Sequence, residues 1–504
     1  MDNLKIRWSG GFVGVLASVA GLSTGEFASR LNHNWSNPIV SIGNRIIDHV
    51  PNAIKEFTIR NFGVNDKIFL IIMIVIVVLS LSFMIGTTYF AGKVSTAASA
   101  IGVMTAVAVI ASLLDPHSSV FSIFPAIASG GVTFLTLRWL AQKNEESLEI
   151  DKSRRVLFKA IGIVAASSLV ASGLGQALRT QASVQTARLK VLLPKALKFL
   201  PKPPVDPALT VSGLSPLFTP NAMFYRIDTA LSTPNISIDT WKLQIDGMVA
   251  KPKTYTYSEL VSRPTFELDD TIACVSNEVG GNLVGNARWL GIRLDDLIRE
   301  SAPTSRADQV MGHSIDRFTA GFPLAALDGR DAMIAIGMNG EVLPIDHGFP
   351  ARIIVPGLYG YVSATKWLTR IELTRFDEKQ GYWIPRGWSA LAPIKTQSRI
   401  DTPFDGFAVK TGMHPIAGVA WAPGRGISKV EVRVDNEPWR VANLGPELAK
   451  TTWRQWWLDW SATPGKHKIA VRATDGEGVL QSKTEVSVLP NGAEGWHTIS
   501  INVN

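Results

Sequence analysis

Long apolar runs fill the first third of the chain, and short alternating patterns replace them after about residue 180. Five uncharged segments are long enough to span a bilayer, which takes about 20 apolar residues. They are Trp8–Gly25, Ile68–Gly92, Val94–Leu114, Ser118–Leu137 and Ala160–Leu178. None has an ionisable residue near its centre, the usual sign of a transport path or of haem ligation. Residues 1–180 are therefore predicted to be a bundle of about five transmembrane helices that acts as an anchor in membrane lipid.

Basic residues predict the orientation of this bundle. With five spans, three basic loops face one side, and they contain Lys5, Arg7, Lys93, Arg138, Lys143, Lys152, Arg154, Arg155 and Lys159. Short loops rich in Lys and Arg stay in the cytoplasm. The loop between residues 30 and 67 is an exception to this rule, because it is basic but would lie outside the cytoplasm. It is predicted to be partly interfacial. The chain is thus expected to be a multi-pass protein of the cell membrane, with everything after Leu178 outside the cytoplasm.

A short motif precedes the fifth predicted span. Ser153–Lys159 reads SRRVLFK and is similar to a twin-arginine export signal, with Leu157 and Phe158 in the reverse of the usual order. An ordinary cytoplasmic basic cluster is the alternative. An export signal would mean that the following domain crosses the membrane already folded, with its cofactor inserted.

Three further regions follow the spans. Residues 181–214 read as a proline-rich linker. Residues 215–395 mix short helices and strands, including Trp241–Met248, Ile272–Val275 and Leu294–Ser301, which indicates an α+β domain. Residues 396–504 alternate apolar and polar positions, with a closing strand expected at Glu485–Val488, and predict an all-β immunoglobulin-like sandwich.

The only cysteine of the chain lies in an unusual stretch. Thr271–Gly291 reads TIACVSNEVGGNLVGNARWLG and contains Cys274. Glycine weakens helices and strands, and asparagine competes for backbone hydrogen bonds, so a shaped loop is expected directly after a strand. Local sequence alone favours a structural cysteine. One cysteine excludes an internal disulfide and a cysteine-based zinc site.

Net charge adds little to this picture. The charge of +8 is not arranged as a basic stripe with stacking aromatics, so nucleic acid is not an expected partner.

Four stretches between residues 215 and 500 resemble the sulfite oxidase family of molybdenum-cofactor enzymes. They are NAMFYR at Asn221–Arg226, the Cys274 loop with its following Trp-Leu-Gly, MNGEVLPIDHGFPARIIVPGLYGYVSATK at Met338–Lys366, and the C-terminal β domain. Five spans before such a domain are similar to a membrane-anchored bacterial branch of that family.

The resemblance implies a molybdenum–molybdopterin cofactor with Cys274 as the thiolate ligand of the metal. It implies cofactor contacts from Asn221, Tyr225, Arg226, His313 or Ser314, His347, Arg352, Ala364, Thr365 and Lys366. Arg352 and Lys366 would neutralise the phosphate of the pterin. The C-terminal domain would form a homodimer.

The implied reaction is oxygen-atom transfer on a small oxo substrate, either sulfite or a sulfoxide. The sequence has no haem-attachment motif and no cysteine set for an iron–sulfur cluster, so electrons would pass to or from an external cytochrome or quinone-linked protein. Family members that oxidise sulfite have arginines directly after the ligand cysteine, where this chain has Val275–Glu278. Arg288, Arg317 and Arg386 are the predicted catalytic substitutes. The alternative is a non-enzymatic membrane receptor or scaffold with an exported binding module.

Overall fold

The computed structural model describes residues 2–31, 37–51, 66–114, 120–148, 190–204, 209–231 and 236–504, together with single positions at 35, 54, 57, 58, 162, 188, 233 and 234. Its backbone divides into two compact units. The first contains Met1–Val184 and Thr229–Asn235, and the second contains Gln185–Asp228 and Ile236–Asn504.

The first unit is a helical bundle. Its helices are α1 Asp2–Ser29, α2 Pro38–His49, α3 Asp66–Phe90, α4 Val94–Leu113 and α5 Phe124–Leu148, the last preceded by a 3-10 turn at Val120–Ile123. Four stretches are long and apolar enough to cross a membrane, namely Gly10–Arg30, Lys67–Phe90, Val94–Leu113 and Val120–Lys143. They coincide with the first four predicted spans. The fifth predicted span and the SRRVLFK motif lie outside the described residues.

Small residues let α1 and α3 approach closely. A Cβ atom at Gly14 would lie 2.2 Å from the Ser82 carbonyl, and one at Gly86 would lie 2.2 Å from the Gly10 carbonyl. Contacts of this kind are typical of helices that pack in lipid, where close backbone approach replaces the hydrophobic effect.

The second unit begins with one mixed sheet and one antiparallel sheet. The first has the order β2-β1-β10-β5-β6 and the second the order β3-β4-β7-β8, with β9 paired to β7. The strands are β1 Lys242–Gly247, β2 Lys253–Thr256, β3 Thr265–Ala273, β4 Val284–Arg293, β5 Gln309–Ser314, β6 Thr319–Pro323, β7 Met333–Met338, β8 Glu341–Val342, β9 Arg352–Ile354 and β10 Leu368–Thr374. Three short helices join them: α6 Tyr257–Val261, α7 Leu294–Glu300 and α8 Gly360–Ser363. This part has the mixed α+β character that the sequence predicts.

The hairpin of β3 and β4 contains the shaped loop that is expected after a strand, but the loop is shorter than the run of Gly and Asn residues. Only residues 274–283 form a loop, and β4 begins at Val284. Asn286 does not disturb its own backbone, because its side chain accepts a hydrogen bond from Thr271 Oγ1 at 3.0 Å and donates one to the Leu217 carbonyl at 2.8 Å. Gly285 leaves room for the Phe224 ring, whose nearest atom would be 2.7 Å from an added Cβ.

A pair of β-sheets with a common apolar core forms the C-terminal part. One sheet has the order β11-β13-β17-β16 and the other the order β12-β19-β18-β14-β15. The strands are β11 Gln397–Thr402, β12 Ala408–Val409, β13 Gly412–Trp421, β14 Ile427–Val434, β15 Arg440–Val441, β16 Asn443–Leu444, β17 Arg454–Ala462, β18 Gly465–Asp475 and β19 Thr498–Val503. Trp456, Val432 and Ile501 are among the buried core residues contributed by both sheets.

The predicted closing strand at Glu485–Val488 is wrong. Val486 forms only an isolated bridge to Glu494, and β19 closes the sheet instead. In β19 exposed and buried positions alternate strictly, which lets every second side chain enter the core.

The region predicted as a free linker is partly ordered against β3. Residues 190–204, called the strap below, run beside the edge of that strand. Leu197 donates its backbone N–H to the Thr265 carbonyl at 2.8 Å, and the Lys198 carbonyl accepts from the Glu267 N–H at 3.1 Å. The strap thus covers part of an edge that would otherwise be open to pairing with other chains.

Candidate active site

Cys274 directly follows β3 at the start of a tight loop. Its backbone N–H donates to the Leu283 carbonyl at 2.9 Å, and the side-chain oxygen of Asn277 accepts from the Leu283 N–H at 2.7 Å. The thiol is buried, and burial raises its pKa against the opposing effect of hydrogen bonds from Ser276. Asn277 therefore shapes the loop, and the thiol retains its proton at neutral pH when no metal is bound.

The β3–β4 register decides which side chains share a face of the sheet. Leu268 pairs with Trp289 and Asp270 pairs with Ala287, so these residues lie on one face, here called the inner face. Asp269 and its partner Arg288 lie on the opposite, outer face. Because side chains alternate along a strand, Asp270 and Trp289 are brought to the same side.

Arg352 extends the inner face from β9. Its Nη1 donates to the His347 carbonyl at 3.0 Å, and its Cζ lies 5.1 Å from the centre of the Trp289 ring. Burial lowers the pKa of this guanidinium to about 10, so it is still a cation at neutral pH. Tyr225 is in the same neighbourhood. Burial raises the pKa of its hydroxyl well above the usual value, and negative charge at Cys274 raises it further.

Three polar atoms on the inner face lack a hydrogen-bond partner within the described part of the chain. They are Asp270 Oδ1, Trp289 Nε1 and Arg352 Nε, and all are shielded from solvent. A buried polar atom left without a partner costs about 1–3 kcal/mol. Burial also raises the pKa of the Asp270 carboxyl well above its usual range. One acceptor and two donors thus gather on the inner face of the sheet, and the described chain does not satisfy them.

His347 and Asn221 form a second part of the site. His347 Nε2 donates to the Asn221 carbonyl at 2.8 Å, and Asn339 Nδ2 donates to the side-chain oxygen of Asn221 at 2.9 Å. Burial is the main reason why the pKa of His347 falls to about 4. The imidazole is therefore neutral at pH 7, and its other nitrogen, Nδ1, is left as an acceptor.

Arg226 and Lys366 lie together and pair with two acids that sequence reasoning missed. Lys366 Nζ is 2.7 Å from Asp228 Oδ2, Arg226 Nε is 2.8 Å from the same oxygen, and Arg226 Nη1 is 2.8 Å from Asp346 Oδ1. The cations are held in fixed positions by carboxylates. Asp228 follows NAMFYR by two residues, and Asp346 lies within the long motif, so their spacing is the signal that could have identified them.

The structure separates the two alternatives His313 and Ser314. The Ile315 N–H donates to the Trp367 carbonyl at 3.0 Å, and Ser314 pairs with Leu368, two residues after Lys366. His313 points to the other face of β5, where its Nε2 lies 3.0 Å from Glu372. The two side chains thus lie on opposite faces of the strand.

Thr365 and Ala364 belong to the segment after α8. Thr365 is buried beside Gly312, where an added Cβ would lie 2.5 Å from the threonine Oγ1. The Ala364 N–H donates to the Gly360 carbonyl at 3.0 Å, and Gly360 lies near the end of β3. This segment therefore lies close to the strand that carries Cys274.

The three predicted substrate arginines lie in three different local settings. Arg288 is on the outer face, where its Nε and Nη2 donate to Asp269 at 2.7 and 2.8 Å. Arg317 is exposed at the β5–β6 turn with a φ of 76°. Arg386 is half-buried, with its Cζ 3.7 Å from the centre of the Tyr382 ring.

Comparison with known proteins places the chain in a family. Residues 230–383 match the oxidoreductase molybdopterin binding domain. The oxidoreductase YuiH of Bacillus subtilis is 31% identical over 148 residues, which cover 29% of this chain and 72% of YuiH. The chain belongs to the sulfite oxidase family of molybdopterin oxidoreductases. It spans 62% of human mitochondrial sulfite oxidase at 28% identity and 53% of the Drosophila melanogaster enzyme at 32% identity, using 57% and 52% of its own length.

A solved structure supports the same fold. The sulfane dehydrogenase SoxCD from Paracoccus pantotrophus superposes with a TM-score of 0.52 at 19% identity, covering 64% of this chain and 92% of that one. This sulfite oxidase family member therefore shares the fold of that sulfane dehydrogenase over 64% of its length.

The residues present fit the cofactor of the family. Within the described ranges, His, Cys, Asp and Glu side chains nowhere gather in groups of three or more that could hold a metal ion. A metal at Cys274 would therefore depend on ligands that a cofactor supplies. The unpartnered donors and acceptor on the inner face suit a polar heterocycle, and the buried Arg352 cation suits an anionic group.

Proposed function

We propose that this chain is a membrane-anchored molybdopterin-dependent oxidoreductase that transfers an oxygen atom to or from a small oxo substrate. The observations that carry the proposal are the buried thiol of Cys274 directly after β3 and, on the inner face of the same sheet, the buried cation Arg352 with polar atoms that lack partners in the described chain. Tyr225 is coupled electrostatically to both Cys274 and Arg352. When bound, molybdopterin would supply a molybdenum ion that exchanges two electrons and an oxygen atom with the substrate.

The side chains of the site would hold the cofactor in place. Cys274 would provide the thiolate ligand, since a soft sulfur ligand suits a metal already bound by dithiolene sulfur. Arg352, Arg226 and Lys366 would face the anionic tail, and neutral His347 offers Nδ1 as an acceptor for a pterin N–H. Tyr225, with its raised pKa, keeps a hydroxyl proton at neutral pH and can donate a hydrogen bond near the metal.

The loop after Cys274 favours a neutral substrate over a dianion. Val275 packs into the apolar cluster on the outer side, and Glu278 is exposed and negatively charged. The ion pair with Asp269 holds Arg288 on the other face of the sheet. Few cations are thus available to bind sulfite, which favours a sulfoxide. Arg386, stacked on Tyr382 beside Trp383, is the arginine of this group that we propose contributes to the substrate pocket.

Metal content tests the proposal directly. The full chain, purified in detergent from a molybdenum-sufficient host, should contain about one molybdenum per chain, and Cys274→Ser should lose most of it. Val275→Ala is the matched control, because Val275 is buried next to Cys274 but packs on the other side. Native protein without molybdenum would support the receptor or scaffold alternative, and full retention in Cys274→Ser would refute the ligand assignment.

Turnover tests the substrate. Molybdenum-loaded protein should reduce a dialkyl sulfoxide with a reduced dye faster than it oxidises sulfite with an oxidised dye. Replacing Arg386 by Met should raise KM for the substrate, while the molybdenum content stays unchanged. Faster turnover of sulfite would reverse our assignment of the substrate.

Electrons would come from outside this chain. We propose a cytochrome or a quinone-linked protein as the carrier, acting on the extracytoplasmic side of the membrane. The four apolar helices support membrane anchoring, and the loop charges of the sequence support this orientation. We further propose that the C-terminal pair of sheets forms an immunoglobulin-like domain through which two copies associate.

A further inference from the structure

We infer that the strap is a lipid-binding element that holds the second unit against the surface of an anionic membrane. This inference goes beyond the proposed reaction and does not depend on it. It rests on which side chains of the strap face the sheet and which face outward.

The strap is firmly held on its inner side. Ala196 is buried, and Leu193 packs near Gly337 of β7, where an added Cβ would lie 3.1 Å from the leucine Cδ1. Just before the strap, Arg188 donates from Nε to the Leu343 carbonyl at 2.9 Å. Together with the backbone bonds to β3, these contacts fix which residues face outward.

The outward side combines large apolar residues with cations. Leu192 is 90% exposed, Leu197 is 76% exposed and Phe199 is 65% exposed. Exposed lysines are interleaved with them at Lys190, Lys195, Lys198 and Lys202. Leaving three such apolar side chains in water on one short segment is unfavourable, because burying them would release the water around them.

Charge identifies the partner. Residues 188–204 contain five basic residues and no acidic residue, as the printed sequence shows: RLKVLLPKALKFLPKPP. The four exposed lysines form no ion pair with any residue of the described chain. Alternating lysines and apolar groups match the boundary between anionic headgroups and acyl chains, where the apolar groups insert and the ammonium groups meet phosphate. The described part of the same chain has four helices long and apolar enough to cross a bilayer, which favours a lipid surface as the partner.

Site-specific fluorescence in the full chain tests this inference. Leu197→Cys and Val441→Cys would each be labelled with an environment-sensitive dye and reconstituted in nanodiscs that contain lipids with quenchers in the acyl chains. Val441 is a matched control, because it is 62% exposed but lies on a strand of the C-terminal sheets. The native chain, whose only thiol is the buried Cys274, gives the background labelling.

We expect quenching at position 197 but not at 441, and stronger quenching when phosphatidylglycerol is added to phosphatidylcholine. The triple change Lys195→Gln, Lys198→Gln and Lys202→Gln should remove the dependence on phosphatidylglycerol, since each lysine near an anionic surface changes binding by about fivefold. The triple change Lys410→Gln, Lys466→Gln and Lys468→Gln, at exposed lysines elsewhere, should leave it unchanged.

Three results would overturn the inference. They are no quenching at position 197 in either lipid mixture, quenching at position 197 that is the same with and without phosphatidylglycerol, and equal effects of the two triple changes on quenching. Protection of position 197 by a protein partner, detected as a cross-link in native membranes, would also contradict it. Molybdenum content and turnover are expected to be the same in both triple variants, so failure here would leave the proposed reaction unaffected.

Discussion

At the scale of single residues, the defining feature of the site is a buried cation with few partners. Arg352 donates to one carbonyl, stacks on Trp289 and leaves Nε without a partner in the described chain. A buried charge is stabilising only when its partners compensate the loss of hydration. The chain therefore maintains at Arg352 an arrangement that is costly without an anionic ligand, which is the expected property of a binding residue.

Replacing Arg352 by Met should have opposite effects on the empty and the loaded protein. Without cofactor, removal of the poorly compensated charge should leave Tm unchanged or raise it, because the apolar side chain fills similar space. With cofactor, the variant should lose about 1–3 kcal/mol of ligand stabilisation and contain less molybdenum. Thermal unfolding of both forms, with the exposed Arg299→Met as control, measures this difference. Equal Tm changes in the two forms would argue against a role in binding.

His497 gives a second prediction, one of pH dependence. Burial lowers its pKa to about 4, and its Nδ1 accepts a hydrogen bond from the Ile400 N–H at 3.0 Å, which requires the neutral ring. Below about pH 6.5 His497 takes up a proton in the unfolded chain but stays neutral in the folded chain. The free energy of unfolding therefore falls by up to about 3 kcal/mol between pH 6.5 and pH 4.

Thermal unfolding of the second unit across this pH range measures the effect of His497. The decrease in Tm should be smaller in His497→Asn, while His414→Asn, at a histidine on the exposed end of β13, should behave like the native chain. An identical pH profile in His497→Asn would contradict the assignment.

At the scale of elements, the loop from Cys274 to Leu283 is supported by the C-terminal sheets. The ring of His497 lies against Gly280, and Arg399 Nη1 donates to the Gly281 carbonyl at 2.8 Å. The position of the metal ligand thus depends on residues more than 100 positions later in the chain. Substitutions in the C-terminal sheets are expected to affect the site without touching it.

Gly280→Ala should reduce molybdenum content more than an equally strained substitution elsewhere. A Cβ at this position would lie 2.2 Å from His497 Cδ2, and the residue has a φ of 76°. Gly329 is the matched control, because its φ is 95° but nothing lies within 4 Å of an added Cβ. Both alanine variants carry the backbone strain of about 1 kcal/mol, and only Gly280→Ala displaces the histidine. Equal molybdenum contents would show that the packing on Gly280 is not needed.

Short motifs made part of this site predictable, and strand register hid the rest. Cys274, Arg352 and Lys366 lie in stretches whose order is specific, and the segments of Arg352 and Lys366 meet beside Gly348. The sequence does not predict Asp270 and Trp289 as site residues, because only the pairing of β3 with β4 puts them on one face. The sequence also predicts a substrate role for Arg288, because the strand register is not visible in it. In the structure the register places Arg288 on the outer face beside Asp269.

At the scale of the whole molecule, a helical unit and a cofactor-binding unit are joined in one chain. The chain leaves the second unit after Asp228 and rejoins it at Ile236, and the intervening segment belongs to the helical unit. Within the helical unit, Lys67 of α3 donates to the Ala230 carbonyl of this segment at 2.6 Å. The proposed position outside the cytoplasm requires that the second unit be exported, and the basic motif before the fifth predicted span suggests how.

Replacing Arg154 and Arg155 together by Lys should retain the second unit in the cytoplasm, because a twin-arginine route reads the arginine pair itself. Protease accessibility in spheroplasts would show protection of the second unit in this variant and cleavage in the native chain. Lys152→Arg with Lys159→Arg preserves the same charge and should export normally. Normal export of the Arg154/Arg155 variant would identify the motif as an ordinary cytoplasmic cluster.

The edge of β3 also sets the order of events during synthesis. Thr271 Oγ1 accepts a hydrogen bond from the Trp453 N–H at 2.7 Å, and the Thr271 N–H donates to the Thr451 carbonyl. At about 5–20 residues per second, a ribosome needs on the order of 10–40 s to travel from the first of these residues to the last. For that interval the Thr271 end of β3 lacks its contacts with Thr451 and Trp453, so the region beside Cys274 is completed only after these later residues have been synthesised.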